Sequence, residues 1–379
     1  MDTFSTDFAV IGLGAVGAAT LYQLAKRGAK VVGIDRHLTP HPFGSSHGCA
    51  RVTRSAVGEG SAYVPLVRRS QEILGELERT FNADLMERSG TLIIGSARPS
   101  SGEDFVGATV QIANQHGIEH ALFSSTDLRK RYPQLIGLTD TDYGYYEPHA
   151  GFLRPEPIIS VQISVAQQLG ATVIPNSVVK RISQDNGWVT IETDDRRTKA
   201  RHAVIAAGRW ASEILGPPFE RLLTVSEQRT FSFRPEHSAP YQPANFPALM
   251  WFRSAADDRC LTAFPQSQDG AVSFFVEGVD AAADVDDAAE RFFERDIRPF
   301  FRGIAPRMAC SDRCYYTTTP DGGFLIDRHP DHDRLLVLSA CSGHGFKHSL
   351  AVGEVAARML LEKEASFDLG PFSVRRFEA

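Results

Sequence analysis

Between residues 8 and 35 the chain runs through an apolar stretch, a glycine-rich turn, a helix and a second apolar stretch, and few folds accept that order. Phe8-Ala9-Val10-Ile11-Gly12 reads as a buried strand, Ala15 to Arg27 as a helix closed by Gly28, and Lys30 to Asp35 as the next strand. A strand–helix–strand unit of this length suits a parallel crossover. Its turn, Gly12-Leu13-Gly14-Ala15-Val16-Gly17, is a G-x-G-x-x-G. Gly12 allows the tight turn, Gly14 lets backbone approach a pyrophosphate, and Gly17 lets helix and strand pack closely. The helix N-terminus then offers free N–H groups and a positive dipole end to phosphates. Asp35 falls about 20 residues on, where a carboxylate accepts ribose hydroxyls. A purely structural turn is the bland alternative. Strand, helix and acid in register favour a dinucleotide, FAD or NAD. Asp35 disfavours a 2′-phosphate, although Arg36 is adjacent.

The remainder reads as a nucleotide domain interrupted twice. Pro40, Pro42, Gly44, Gly48, Gly58 and Gly60 mark residues 36–60 as loop. Val67, Ser70, Leu74, Leu77 and Phe81 form an amphipathic helical stripe, and Glu156 to Leu169 reads as another helix. Apolar alternating runs follow at Trp188–Thr193 and Ala203–Ala207. From about 220 to 310 the chain is rich in Phe and Pro, with strand-like runs such as Ala271–Glu277 and an acidic helical piece near Asp287 to Arg295. The first pattern returns at Leu335–Leu338 and ends in a helix over roughly Leu350 to Lys363. The expectation is a mixed α/β fold. A Rossmann-type nucleotide domain would comprise 1–85, 146–219 and 312–379, and an inserted antiparallel-sheet substrate domain 86–145 and 220–311.

Composition narrows the function classes. The 379 residues carry a formal net charge of -6 with no basic block, which gives nucleic acid little support as a partner. No apolar run reaches the ~18 residues of a membrane span, and the N-terminus lacks a signal peptide's basic start and apolar core. Five cysteines, few and odd in number, suit a reducing compartment, so a cytoplasmic location is expected. Cys310 and Cys314 could share a metal, but no second ligand pair has metal spacing. His37 and His41 are four apart with Pro40 between them, which breaks the helix a metal pair would need; they receive no role, and no metal is expected.

Two further segments carry a resemblance. The first is Gly44-Ser45-Ser46-His47-Gly48-Cys49-Ala50-Arg51-Val52-Thr53-Arg54, followed by Gly58-Glu59-Gly60 and Tyr63-Val64-Pro65. The second runs from Cys314-Tyr315-Tyr316-Thr317 through Pro320-Asp321, Phe324-Leu325-Ile326-Asp327 and His329-Pro330 to Ser342-Gly343-His344-Gly345-Phe346-Lys347. Together, and with the tail from Phe367, they resemble the monomeric sarcosine oxidase and N-methyl-L-tryptophan oxidase family. The likeness is weakest over 220–310. It implies FAD bound in a domain of the glutathione-reductase kind and attached covalently through Cys314. The bland reading of Cys314 is an inert buried thiol. The resemblance further implies a monomer and an amino-acid substrate whose carboxylate is held by Arg54 and Lys347, a planar fork and a point charge. It places His47, Arg51, His344 and Tyr316 beside the flavin, where a cation steadies developing negative charge. Arg36, Ser46, Val178, Gly343, Gly345 and Phe346 join the expected cofactor contacts.

The sequence departs from that family at one telling place. The lysine that assists electron transfer to dioxygen aligns with Ser273, which supplies no fixed charge. A pocket tyrosine aligns with Thr262 and a histidine with Glu277. The expected reaction is oxidation of a secondary or N-methylated amino acid to an imine, with dioxygen reduced to hydrogen peroxide. Two alternatives stand: a dehydrogenase passing electrons to another acceptor, and an FAD-binding sensor or scaffold without turnover.

Overall fold

The computed structural model describes residues 2–96, 104–253, 259–278, 284–362 and 367–377. A parallel set forms the centre of the first sheet. Asp2–Ile11 lies between Val31–Ile34 and Arg196–Ile205; Thr172–Ile174 extends it on one side and Leu335–Ser339 on the other. Val31–Ile34 and Leu335–Ser339 are buried throughout, which is why they read as unbroken apolar runs. Trp188–Glu192 and Arg181–Asp185 add an antiparallel ribbon, and Leu325–Arg328 pairs with Leu335–Ser339. The helices Ala15–Lys26, Pro155–Gln168 and Ser349–Leu361 pack together over one face. The last of these begins and ends close to the expected bounds; Lys363 lies outside the described residues.

The second sheet runs Ile304–Thr318, Thr224–Pro235, Val272–Val276, Cys260–Phe264, Ala248–Phe252, Thr91–Ser96, Asp142–Glu147, Ala121–Ser124. It is antiparallel except where Ala248–Trp251 lies parallel to Thr91–Ile94. Phe231, Phe233, Phe274, Phe292 and Phe293 fill the layer between it and the helix Val285–Phe292. The strand Ile304–Thr318 crosses the 311/312 boundary expected between domains, so Cys314 rides on this sheet rather than on the parallel one. A third, small sheet of Arg51–Thr53, Gly151–Leu153 and Met86–Glu87 sets the backbone that leads into Arg54. No described helix is long and apolar enough to cross a membrane.

Candidate active site

A cavity opens at the C-terminal ends of the parallel strands, the place where an open α/β sheet takes its ligand. It spans about 1280 Å³ counted to its open mouth. Gly12 and Gly14, Asp35 and Arg36, Ser177 and Val179, Ala206 to Trp210, and Gly343, Gly345 and Phe346 line it. The glycines of the turn divide their work. Gly12 has φ +87°, and a Cβ there would meet Ala206 O at 2.5 Å. A Cβ on Gly17 would fall 1.7 Å from Gly12 O, so Gly17 serves helix–strand contact and stays out of the cavity. Ser46 Oγ accepts from Ala15 N at 3.2 Å and lines the wall beside Gly14. Asp35 is buried and accepts from Leu13 N at 2.6 Å and His37 N at 2.9 Å. Its oxygen also lies 3.4 Å from His41 Nε2. His41, given no role by the sequence, therefore steadies the acid expected to meet the ribose. Val178 is absent from the lining; alternation along extended backbone presents its neighbours Ser177 and Val179 instead.

A second cavity adjoins the first, with Arg51, Tyr316, Gly343 and Phe346 belonging to both walls. His47, Arg54, Glu59, Thr262, Cys314, His344 and Lys347 line it, with Val52, Met250, Phe264 and Phe275 as an apolar side. Arg54 and Lys347, 293 positions apart in the chain, meet here through a residue the sequence reading quoted but gave no part. Glu59 Oε2 lies 2.8 Å from Arg54 Nη2, and Oε1 lies 3.4 Å from Lys347 Nζ. Burial raises the Glu59 carboxyl, but Arg54 and then Lys347 outweigh it and hold it well below the usual carboxylate range. Burial drives the Lys347 ammonium down to about 8, with Glu59 pulling upward and Arg54 pushing further down. Lys347 Nζ also donates to His344 O at 2.8 Å, while Arg54 Nε is buried with no hydrogen-bond partner. Two cations and one anion leave the cluster one positive charge. An acid between two glycines, inside a segment otherwise apolar or small, was the signal for Glu59.

The remaining candidates surround this cluster. His344 stacks on Phe324 at 4.7 Å between centroids, and its Nε2 stands 3.2 Å from Gly322 O. Burial, then Lys347, pushes it down to about 4, so it is neutral at pH 7. Burial likewise lowers His47, whose Nε2 has no partner. Arg51 donates to the carbonyls of Ala50, Ser45 and His47 at 2.7–2.9 Å, which clips its loop and fixes a cation at the junction of the two cavities. The Tyr316 ring lies over Gly343, where a Cβ would come within 2.9 Å, and burial raises its phenol well above the ordinary value. Burial also raises the Cys314 thiol, with Arg51 drawing it back. Ser273 lies behind the cavity wall, its Oγ 3.1 Å from Cys49 Sγ and 2.8 Å from Ser232 Oγ. Thr262 lines the cavity; Glu277 is exposed and does not.

The sequence profile of the family described as FAD dependent oxidoreductase matches residues 7–359. The chain is 32% identical to N-methyl-L-tryptophan oxidase of Escherichia coli O139:H28 over 98% of its own length and 99% of that protein's. Among solved structures, NikD, an unusual amino acid oxidase essential for nikkomycin biosynthesis, superposes with a TM-score of 0.83 at 22% identity, covering 98% of this chain and 97% of that one. L-proline dehydrogenase from P. horikoshii superposes with a TM-score of 0.81 at 19% identity, covering 100% and 99%. At those identities the two structures speak for the fold alone.

Proposed function

The chain belongs to the family of FAD-dependent oxidoreductases, and on that premise we propose that it oxidises the C–N bond of a secondary or N-methylated amino acid to an imine, which water hydrolyses. The observation that carries this reading is the Arg54–Glu59–Lys347 cluster. It holds one net positive charge in a cavity that shares Arg51, Tyr316, Gly343 and Phe346 with the dinucleotide cavity. A monocarboxylate matches that charge, and the unpartnered Arg54 Nε gives it a donor.

The residues present suit FAD. Gly12 and Gly14 open the backbone to a diphosphate, Asp35 stands at the ribose end, and Cys314 lies on the adjoining wall. FAD, when bound, supplies the two-electron acceptor. The protein's own part is position and field. Arg54 and Lys347 hold the substrate carboxylate, which fixes the carbon beside nitrogen toward the shared wall and makes the encounter effectively unimolecular. The apolar side formed by Val52, Met250, Phe264 and Phe275 takes the side chain and excludes water. Neutral His344 and His348 add no competing charge beneath the clamp. Arg51 is the cation beside the cofactor ring, and Cys314 is its covalent attachment point. We read the enzyme as a cytoplasmic monomer.

Electrons then pass to dioxygen, giving hydrogen peroxide, or to another acceptor. The second outcome is favoured by one observation: Ser273 is enclosed by Cys49 and Ser232, so that position brings no cation to the cavity. Anaerobic addition of N-methyl and cyclic amino acids to the yellow protein should bleach it. Failure of every such compound to bleach bound flavin overturns the proposed reaction. Readmitting air to bleached protein separates the two acceptors, with recovery in seconds expected of an oxidase and many minutes of a dehydrogenase.

A further inference from the structure

We propose that Arg209 binds the diphosphate of the cofactor and that its contact with Tyr315 ties this binding to the strand that carries Cys314. The inference rests on the cavity being the FAD site. Arg209 lies in the turn Gly208–Trp210, directly after the strand Arg196–Ile205, and lines the cavity. That turn abuts the glycine loop, since a Cβ on Gly12 would meet Ala206 O at 2.5 Å and Ala207 Cα at 2.7 Å. Arg209 therefore stands at the same strand edge as the N-terminus of helix Ala15–Lys26, where phosphates collect.

The charges in the wall sharpen this. Its permanently charged side chains are Asp35, Arg36, Arg51 and Arg209. Three guanidinium groups against one carboxylate leave two positive charges, which a dinucleotide's diphosphate balances. Of these cations Arg51 is committed to three backbone carbonyls, and Arg36 lies 3.7 Å from Glu213. Arg209 differs from both. Among the described residues it makes no ion pair and no hydrogen bond, and its Nε is buried without a partner. A buried donor left unmet costs free energy, and a phosphate oxygen would satisfy it. Two rings hold the guanidinium in place instead: Trp210 at 4.6 Å and Tyr315 at 3.9 Å from their centroids. Tyr315 sits between Cys314 and Tyr316, both of which line the second cavity. The rival reading is a cation–π brace between the turn and the strand, with no ligand contact.

The test separates them by removing the phosphates from the ligand. In a Cys314→Ser background, so that binding is reversible, flavin-free protein is titrated with FAD and with riboflavin, binding being read from flavin fluorescence. Arg209→Met should weaken FAD at least about tenfold, the worth of a charge-assisted hydrogen bond, and leave riboflavin unchanged. Arg209→Lys should recover part of the FAD affinity, and the salt dependence of FAD binding should flatten in Arg209→Met. Equal losses for both ligands, or no loss for FAD, overturn the proposal in favour of the brace. If Arg209→Met does not fold, the comparison of Arg209→Lys with the parent decides: an unchanged ratio of FAD to riboflavin affinity overturns it. A parent that binds no FAD overturns the cofactor reading as well, whereas failure of amino acids to bleach bound flavin touches only the proposed reaction.

Discussion

Arg54, Glu59 and Lys347 interact too closely to be treated as independent groups. Replacing Arg54 by Met removes the fork and leaves Glu59 facing Lys347 alone, so the cluster loses its net positive charge. The expected outcome is a rise of roughly 10²-fold or more in KM for an amino-acid substrate, in line with losing one partner of a buried charge pair. Arg54→Lys should fall between, since it keeps the charge and loses the planar geometry. Lys347 gives the cluster a pH dependence. Its ammonium, pushed down to about 8, is charged below that pH and neutral above it. KM should therefore stay low at pH 7 and climb as pH rises through about 8, read from steady-state rates across pH. Glu59→Gln removes the group that pulls Lys347 upward and should move that climb to lower pH. The sequence exposed the two cations because each sits in a motif with long flanks. It hid Glu59 because motif spacing gives no side-chain direction, and it hid Arg209 because one cation after a strand has no pattern at all.

At the level of elements, legibility followed burial. Val31–Ile34 and Leu335–Ser339 are buried throughout, so their apolar runs announced strands. The helix Val64–Phe81 announced itself by its stripe, with Leu66, Val67, Ile73, Leu74 and Leu77 turned inward. Ile304–Thr318 left no such trace, because most of its side chains are partly exposed and follow no alternation, and its pairing with Thr224–Pro235 includes register shifts. The G-x-G-x-x-G turn permits a test within one element. Gly17→Ala would press a methyl within 1.7 Å of Gly12 O, forcing helix from strand. We expect it to cost about 3 kcal/mol or more and to lower the thermal midpoint. Gly14→Ala meets only Ser46, at 3.3 Å from Oγ, so the protein should fold with a near-normal midpoint but hold FAD more weakly. Equal thermal midpoints for the two variants would show that Gly17 carries no packing constraint.

Over the whole molecule, the strand Ile304–Thr318 belongs to the second sheet while its end lines the cavity beside the first, which makes the junction of the two units the site itself. We propose that 1–85, 146–219 and 312–379 act as the cofactor unit and 86–145 with 220–311 as the substrate unit. On the cofactor unit's own side of the site the packing is aromatic: Tyr63 and Phe324 lie against His344 and His348, and Phe372 backs the Tyr63 and Phe324 rings. Both imidazoles are neutral in the folded protein, because burial, aided by Lys347, pushes His344 down to about 4 and His348 well below its ordinary value. Unfolding returns them to water, where they bind protons near 6.5. Between those values the unfolded chain therefore holds more protons than the folded one, and stability must fall as pH falls from about 6.5 toward 4. For His344 alone the loss amounts to as much as about 3 kcal/mol. His344→Gln, which cannot titrate, should start with a lower thermal midpoint at pH 7 and lose less of it on acidification. Parallel declines for the two proteins would mean that His344 takes up its proton in the folded protein as it does in the unfolded chain, near 6.5. The clamp would then gain a further positive charge beside Lys347 only as pH falls through that value, and its hold on a monocarboxylate would tighten on mild acidification instead of staying constant.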